Sequence, residues 1–402
     1  MQDLILPSRR DRDPELFVKI FPELESYLDG RGNMYFYLRR FLYGLAEAAR
    51  GFNAKLHGVL QSMGYKRSNS DECLYLKRLD DGRLHHLCVH VDDIHSAAPG
   101  IKAREAFESE FGKHFKFKKQ YNDVSYLGLM IRKRQRTEEI TADQRGYIEE
   151  LMLKYDVNEK AVRVPARAHL MEKEKDPEYL QNRRQYISMV MALMYVARLT
   201  RADILMPVTY LATKCSKPTV LDYKHARWIL RYLKGTRNQV LRYKASDLAL
   251  KFYADASYLL HADGKGHTGF LATIGGTVVM ARSTKQKIQS RSSTEAEIIA
   301  AEECATYIVF MRYLCGEIGI PVSGPTHLGQ DNKSAEIIVG EGGTFKRTKH
   351  LIGRIGYLRD CVNQGVLTLR FTPTRLMIAD MLTKPVPRAV ILRHAAAVGI
   401  GE

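Results

Sequence analysis

Six acidic residues in this chain stand where apolar segments end or along a helix's apolar face: Asp92 and Asp93, then Asp255, Glu297, Asp331 and Asp380. This placement constrains the fold more than any other feature, because a carboxylate beside an apolar run must reach water, a partner or a cation. The first pair follows Cys88-Val89-His90-Val91, a run with strand character. The other four lie where a strand ends or a helix carries an apolar face. In a chain of formal net charge +17, they read as carboxylates gathered to hold divalent cations against a polyanion. The chemistry implied is that of phosphodiesters in nucleic acid, at two candidate sites.

A length of 402 residues accommodates two or three domains of about 100–200 residues each. No stretch approaches the ~18 uninterrupted apolar residues of a membrane helix, so no membrane partner is expected. The first residues lack the apolar core of a signal peptide. The 6 cysteines are scattered without a Cys-x-x-Cys spacing, which argues against a disulfide framework or zinc knuckle. Lys+Arg total 62 against 45 Asp+Glu, a balance that favours a polyanionic partner.

Residues 34–66 read as a strand or loop entering a helix that Gly64 stops. Strands at Cys73–Arg78 and Leu84–Val91, joined by Asp80-Asp81-Gly82, form a hairpin that delivers Asp92 and Asp93 to its far end. Residues 102–112 read as a helix, 113–147 as strands and polar turns, and 183–235 as helical. A separate α/β unit starts near Leu241, with strands at Leu248–Ala254, Gly269–Ile274, Thr277–Ala281, Thr326–Gly329 and Val366–Phe371. Its helices fall at Ser293–Cys315, Ser334–Val339, 349–363 and from about Ile378.

Physical chemistry separates two neighbouring glutamates. Ser292-Ser293-Thr294-Glu295 fits a capping box in which Glu295 reaches back to the N-cap backbone. Glu297 shares a helical stripe with Ala301, Cys304, Ile308 and Met311, where an acid is costly unless paired or bound to a metal. Glu297 is therefore the candidate ligand and Glu295 the candidate cap. Asp255 follows a strand that alternates Leu250, Phe252 and Ala254 on one face. Asp331 and Asp380 each also suit a helix N-cap, and both readings stay open.

Asp255-Ala-Ser-Tyr, Ser292-Ser-Thr-Glu-Ala-Glu-Ile-Ile-Ala, Asp331-Asn-Lys-Ser-Ala, Lys349-His350 and Ile378-Ala-Asp-Met-Leu-Thr-Lys-Pro resemble the ribonuclease H domain of Ty1/copia-type retrotransposon polyproteins. Upstream, Leu42-Tyr-Gly-Leu, Gly64-Tyr-Lys-Arg-Ser-Asn-Ser-Asp, Val91-Asp-Asp, Tyr126-Leu-Gly and Trp228-Ile-Leu-Arg-Tyr-Leu-Lys-Gly-Thr resemble the same family's reverse transcriptase and connection, colinearly. The fold implied is α/β (α+β): a truncated reverse-transcriptase palm and thumb over 1–165, a connection over 166–245 and a ribonuclease H-like mixed-sheet domain over 246–390. The resemblance makes Asp255, Glu297, Asp331 and Asp380 catalytic metal ligands for two Mg²⁺ ions, with Mn²⁺ a substitute. It implies cleavage of the RNA strand of an RNA–DNA hybrid, and partners that include template nucleic acid and other parts of the Pol polyprotein. His350 matches a Lys-His pair that suits a phosphate contact or a structural role equally.

Asp92 and Asp93 resemble the paired aspartates of a polymerase palm, with His90 where the family has tyrosine. They are candidate metal ligands of an incomplete site. The family's further aspartate lies on a strand upstream of the Leu42 motif, and the match begins near Leu16-Phe-Val-Lys-Ile, so the fingers and first palm strand are expected to be absent and polymerisation lost. Glu47 also stands where the family has a neutral amide, and its charge would repel a triphosphate. Lys113-His-Phe-Lys-Phe-Lys-Lys places Lys116 and Lys118 on one strand face; with Arg132, Arg134 and Arg136 they form a hybrid track or an ordinary solvated face. Two functions thus compete: a hybrid-cleaving ribonuclease, and a non-catalytic nucleic-acid-binding remnant of a decayed element.

Overall fold

The computed structural model describes residues 46–134, 139–244, 247–340 and 349–402. The segment 16–20, the Leu42 motif, Arg136 and the side chain of Glu47 lie outside the described residues. Among those described, no helix is long and apolar enough to cross a membrane.

Helix α1 (Ala46–Ser62) buries Leu56 and Leu60, spaced four apart, and ends at Gly64, whose φ of +85° supplies the left-handed cap expected of it. Strands β1 (Lys66–Arg67), β2 (Leu74–Arg78), β3 (Leu84–His90) and β4 (Asp93–Ala97) form an antiparallel sheet in that order. The β3–β4 turn is Val91-Asp92, where Val91 has φ +55°, unusual for a β-branched residue. Helix α2 (Ile101–Phe111) adds Phe107 and Phe111 to the buried cluster that holds Leu56 and Leu60 of α1.

The expected strand at Lys113–Lys119 is corrected: the segment is irregular and has no ladder partner. Phe115 and Phe117 pack on Phe111, with ring centroids 5.0 and 5.3 Å apart. Ring contacts with Phe111 thus stand in place of backbone pairing, and Lys116 and Lys118 remain exposed.

Strands β5 (Asp123–Tyr126) and β6 (Leu129–Arg134) flank Leu127-Gly128, both at positive φ, the pattern of a tight hairpin turn. Strand β7 (Glu139–Asp143) leads to helix α3 (Arg145–Lys154). The expected helical span 183–235 is three helices: α4 (Arg183–Leu199), α5 (Leu205–Ala212) and α6 (Val220–Gly235). A buried ion pair fixes the first break, Arg201 donating to both carboxylate oxygens of Asp203 at 2.9 and 2.8 Å while Tyr232 adds a third bond at 2.7 Å. At the second, Thr219 and Asp222 form a capping box for α6.

Strand β8 (Val240–Tyr243) precedes β9 (Leu250–Ser257), β10 (His267–Ile274) and β11 (Thr277–Lys285). Helix α7 (Ser293–Ile318), β12 (Thr326–Gln330), α8 (Lys333–Val339), α9 (Ile352–Asn363) and β13 (Leu367–Phe371) follow. The chain closes with α10 (Arg388–Ala397) and β14 (Ile400–Gly401). A five-stranded mixed sheet runs β11-β10-β9-β12-β13, antiparallel through the first three and parallel from β9 to β13. A single last helix from Ile378 is not formed. Short 3₁₀ turns at Thr374–Leu376 and Ile378–Leu382 precede α10, and Pro385 and Pro387 block a continuous helix between them.

Alternation along β10 explains the layering. Phe270 and Ala272 bury against α7, whereas Leu271 faces a core built on α4, α5 and α6. Burying such a side chain contributes roughly 1.5–3 kcal/mol, so the helical connection is one of the two covers of the mixed sheet. A second sheet, β14-β8-β7-β6-β5, takes strands from both sides of the expected boundaries at 165 and 245. The division into 1–165, 166–245 and 246–390 stands as a proposal about sequence units. Glu317, at the far end of α7 from Glu297, ties the first sheet to this body. It accepts from Ser68 Oγ at 2.6 Å, Asn69 N–H at 2.9 Å and Ser70 N–H at 3.2 Å.

Candidate metal centre

Three separate elements bring carboxylates together. Asp255 from β9, Glu297 from α7 and Asp331, just past β12, each offer an oxygen, and these oxygens lie within 4.8 Å of one another. Asp255 and Glu297 are buried, and Asp331 is half-buried. Like charges at that separation repel by on the order of 3 kcal/mol at an effective dielectric of about 20. Hydroxyls and an amide hold one oxygen of each: Thr383 Oγ1 donates to Asp255 Oδ2, Gln330 Nε2 to Glu297 Oε2 at 3.1 Å, and Thr374 Oγ1 to Asp331 Oδ2 at 3.0 Å.

Asp255 lies within β9, one correction to the expected strand end at Ala254. It pairs with Gly269 of β10. A β-carbon at Gly269 would come within 2.6 Å of Thr383 Cγ2 and 2.7 Å of Leu382 Cβ. Glycine there lets the 378–384 segment close over the sheet and bring Thr383 to Asp255.

The expected capping box forms only in part: Ser292 is the N-cap, but Glu295 reaches the N–H of Arg291, one residue before it. Ser292 accepts from the Glu295 N–H at 3.2 Å, and Glu295 Oε2 accepts from the Arg291 N–H at 2.6 Å. Its other oxygen lies 3.1 Å from His350 Nε2. Glu295 is thus occupied, while Glu297 joins the cluster. Asp331 is free of a capping role, because Asn332 is the N-cap of α8 and accepts from the Ala335 N–H at 3.0 Å. Asp380 sits in the 3₁₀ turn and is outside the three-carboxylate group; its Oδ1 pairs with Lys384 Nζ at 2.7 Å.

The electrostatics fit a hard cation. Burial pushes the Asp255 carboxyl up to about 7; Lys384 and Thr383 oppose that shift, and Asp380 and Asp331 add to it. Burial also raises Glu297 well above the carboxylate range, with Asp255 and Asp331 adding to the rise and Gln330 and the Ala256 backbone opposing it. Two buried acids with raised pKa values and an all-oxygen donor set suit a divalent cation. The sequence reading missed Gln330, Thr374, Thr383 and Lys384, although Gln330 adjoins Asp331 and Thr383-Lys384 lies in a quoted string. Only the folded arrangement makes them neighbours of the carboxylates.

Asp92 and Asp93 contrast with this. Both are exposed and, among the described residues, belong to no group of three such ligands. They line a cavity of about 490 Å³ together with Phe52, Arg104, Lys116 and Lys118. Arg132 is committed to an ion pair with buried Asp143, and Arg134 is exposed at the end of β6.

Comparison with known proteins bears on both halves. Residues 9–168 match the family profile described as reverse transcriptase (RNA-dependent DNA polymerase). The chain is 30% identical over 367 residues to the retrovirus-related Pol polyprotein from transposon TNT 1-94 of Nicotiana tabacum, covering 89% of this chain and 28% of that protein. It is 31% identical to the putative transposon Ty5-1 protein of Saccharomyces cerevisiae, covering 65% of this chain and 86% of that one. It spans 25–28% of the length of the TNT 1-94, RE1 and RE2 polyproteins. Among solved structures, the foamy viral protease-reverse transcriptase in complex with RNA/DNA hybrid aligns over 87% of this chain and 40% of that chain, at 11% identity and a TM-score of 0.45. An RNase H1 isolated from compost covers 34% of this chain and 93% of that chain, at 13% identity and a TM-score of 0.28.

Proposed function

The chain belongs to the copia-type retrotransposon Pol polyproteins, and from that premise we propose that it cleaves the RNA strand of RNA–DNA hybrids at Asp255, Glu297, Asp331 and Asp380. The observation that supports this reading is the convergence of three carboxylate oxygens, from three separate elements, within 4.8 Å. Asp255, Glu297 and Asp331 would hold Mg²⁺, with Asp380 beside them. When bound, the metal supplies charge stabilisation at the phosphodiester oxygens and acidity to water.

The chain's own residues do the rest. Thr383, Gln330 and Thr374 orient one oxygen of each clustered carboxylate. The Lys384 ammonium balances part of the negative charge through Asp380. The 2′-hydroxyl is the chemical mark by which an RNA strand is told from DNA. Lys116, Lys118 and Arg134 are exposed and are proposed phosphate contacts, whose contribution would weaken with salt. Arg132 is a weaker candidate, since Asp143 already holds it. His350, paired with Glu295 beside the first turn of α7, is proposed to brace that helix end. Other segments of the Pol polyprotein are the proposed protein partners.

Among the described residues Asp92 and Asp93 gather no third carboxylate ligand. The test is Asp331→Asn in the purified chain with a hybrid labelled on its RNA strand and Mg²⁺ present. Cleavage is expected to vanish with the fold intact; full activity in that variant would overturn the reading. Hybrid binding without Mg²⁺-dependent cleavage by the unmutated chain would favour the non-catalytic alternative.

A further inference from the structure

Gln330 is the last residue of β12, immediately before Asp331, and is 1% exposed. Its side-chain amide crosses to the first turns of α7 and makes two bonds to one residue. Nε2 donates to the Glu297 backbone oxygen at 2.8 Å and to Glu297 Oε2 at 3.1 Å. The chemistry fixes which end of the amide faces Glu297. The Glu297 backbone oxygen can only accept, so the reversed amide would set its oxygen against a carbonyl.

Gln330 is itself held in place. Its backbone oxygen accepts from the Thr372 N–H at 2.7 Å, just past β13, and it pairs with Phe371 in the parallel register. One rigid amide therefore links the strand end that presents Asp331 to the helix turn that presents Glu297. A glutamate side chain has several rotatable bonds, and ordering it in advance lowers the entropy lost when it binds a ligand.

We propose that Gln330 is a positioning residue that sets the Glu297 carboxylate against Asp255 and Asp331, so that the three oxygens form one cation site. The inference rests on the ribonuclease reading above and adds a residue to it. Loss of such a supporting hydrogen bond typically weakens metal affinity by about 10–100-fold.

The test uses the whole chain and Mn²⁺ alone as the probe, by calorimetry, followed by hybrid cleavage. Gln330→Met keeps length and burial but removes the donor. It is expected to lower Mn²⁺ affinity about tenfold and to reduce kcat at fixed metal while KM for the hybrid stays unchanged. Raised Mn²⁺ should restore kcat, which a merely misfolded variant would not allow. Gln330→Glu, nearly isosteric, places an acceptor against the Glu297 backbone oxygen and is expected to weaken binding further. If Gln330→Met melts well below the unmutated chain, Gln330→Asn decides, since it keeps the amide but shortens its reach. Unmutated Mn²⁺ affinity in whichever of these variants folds overturns the positioning role while leaving Asp331→Asn as the separate test of the site. Failure of the unmutated chain both to bind Mn²⁺ and to cleave overturns the positioning role and the site together.

Discussion

The Asp92–Asp93 hairpin and the Asp255–Glu297–Asp331 cluster begin as the same kind of sequence feature, acids at or near the ends of apolar elements. They end in different surroundings. The hairpin acids stand exposed at the rim of a cavity, while the other three are drawn together by a strand, a helix and the end of a second strand. Tertiary convergence, more than acidity, makes a metal site. A pair of aspartates on one turn can be solvated cheaply, whereas buried acids from three elements repel unless a proton or a cation joins them.

The largest expected effect breaks the comparison outright. Asp331→Asn should reduce hybrid cleavage by roughly 10³-fold or more, whereas Asp92→Asn should leave it unchanged in the same gel assay. Equal losses would mean that the two regions serve one site.

Next in size is a pH effect confined to the cluster. The folded-state pKa of Asp255 is raised to about 7, above its unfolded value near 3.9. A raised carboxyl contributes stability that is fully present below the unfolded pKa and is lost as pH rises through the folded one. The contribution of Asp255 should therefore be lost between about pH 4 and pH 7, against the opposite trend from buried His85, His225, His261 and His267, whose pKa values burial lowers, and added Mg²⁺ should restore most of it at the upper end. Thermal melts with chelator and with Mg²⁺ check this, the pH-dependent difference between the unmutated chain and Asp255→Asn in chelator being the Asp255 contribution.

A smaller effect separates cap from ligand. Glu295→Ala removes the bond to the Arg291 N–H and should cost about 1 kcal/mol in denaturant unfolding, with cleavage largely kept. Loss of cleavage as severe as that of Glu297→Gln would merge the two roles. The smallest concerns the tie between the regions. Glu317 holds its carboxyl at about 2 through bonds from Ser68, Ser70 and Asn69. Glu317→Ala should speed limited proteolysis near Ser68–Asp71 without changing cleavage. The same tie should weaken in the unmutated chain only as pH falls from about 4 toward 2, since a depressed carboxyl stabilises above its unfolded pKa.

Much of this was legible along the chain. The strands of the mixed sheet, the long helix and the hairpin glycines follow from alternation, helical spacing and turn chemistry. Each of these depends on neighbours within a few residues. The Lys113–Lys119 segment misled because alternating Phe and Lys fits a strand, but Phe111 offers those rings a stacking partner that ladder pairing does not. The expected last helix is broken by Pro385 and Pro387, which stand openly in the sequence.

By itself the sequence determined which glutamate is a cap and which sits on an apolar stripe, because capping is settled within one turn. It also determined the family, through strings of residues in colinear order. Only the tertiary structure decided that Asp255, Glu297 and Asp331 converge with Asp380 outside their group, and that Gln330 and Thr383 support the cluster. These groups are distant along the chain, and local periodicity carries no information about which ends meet. Burial and packing of the two sheets decide that, and the charge environment of each carboxylate follows from it.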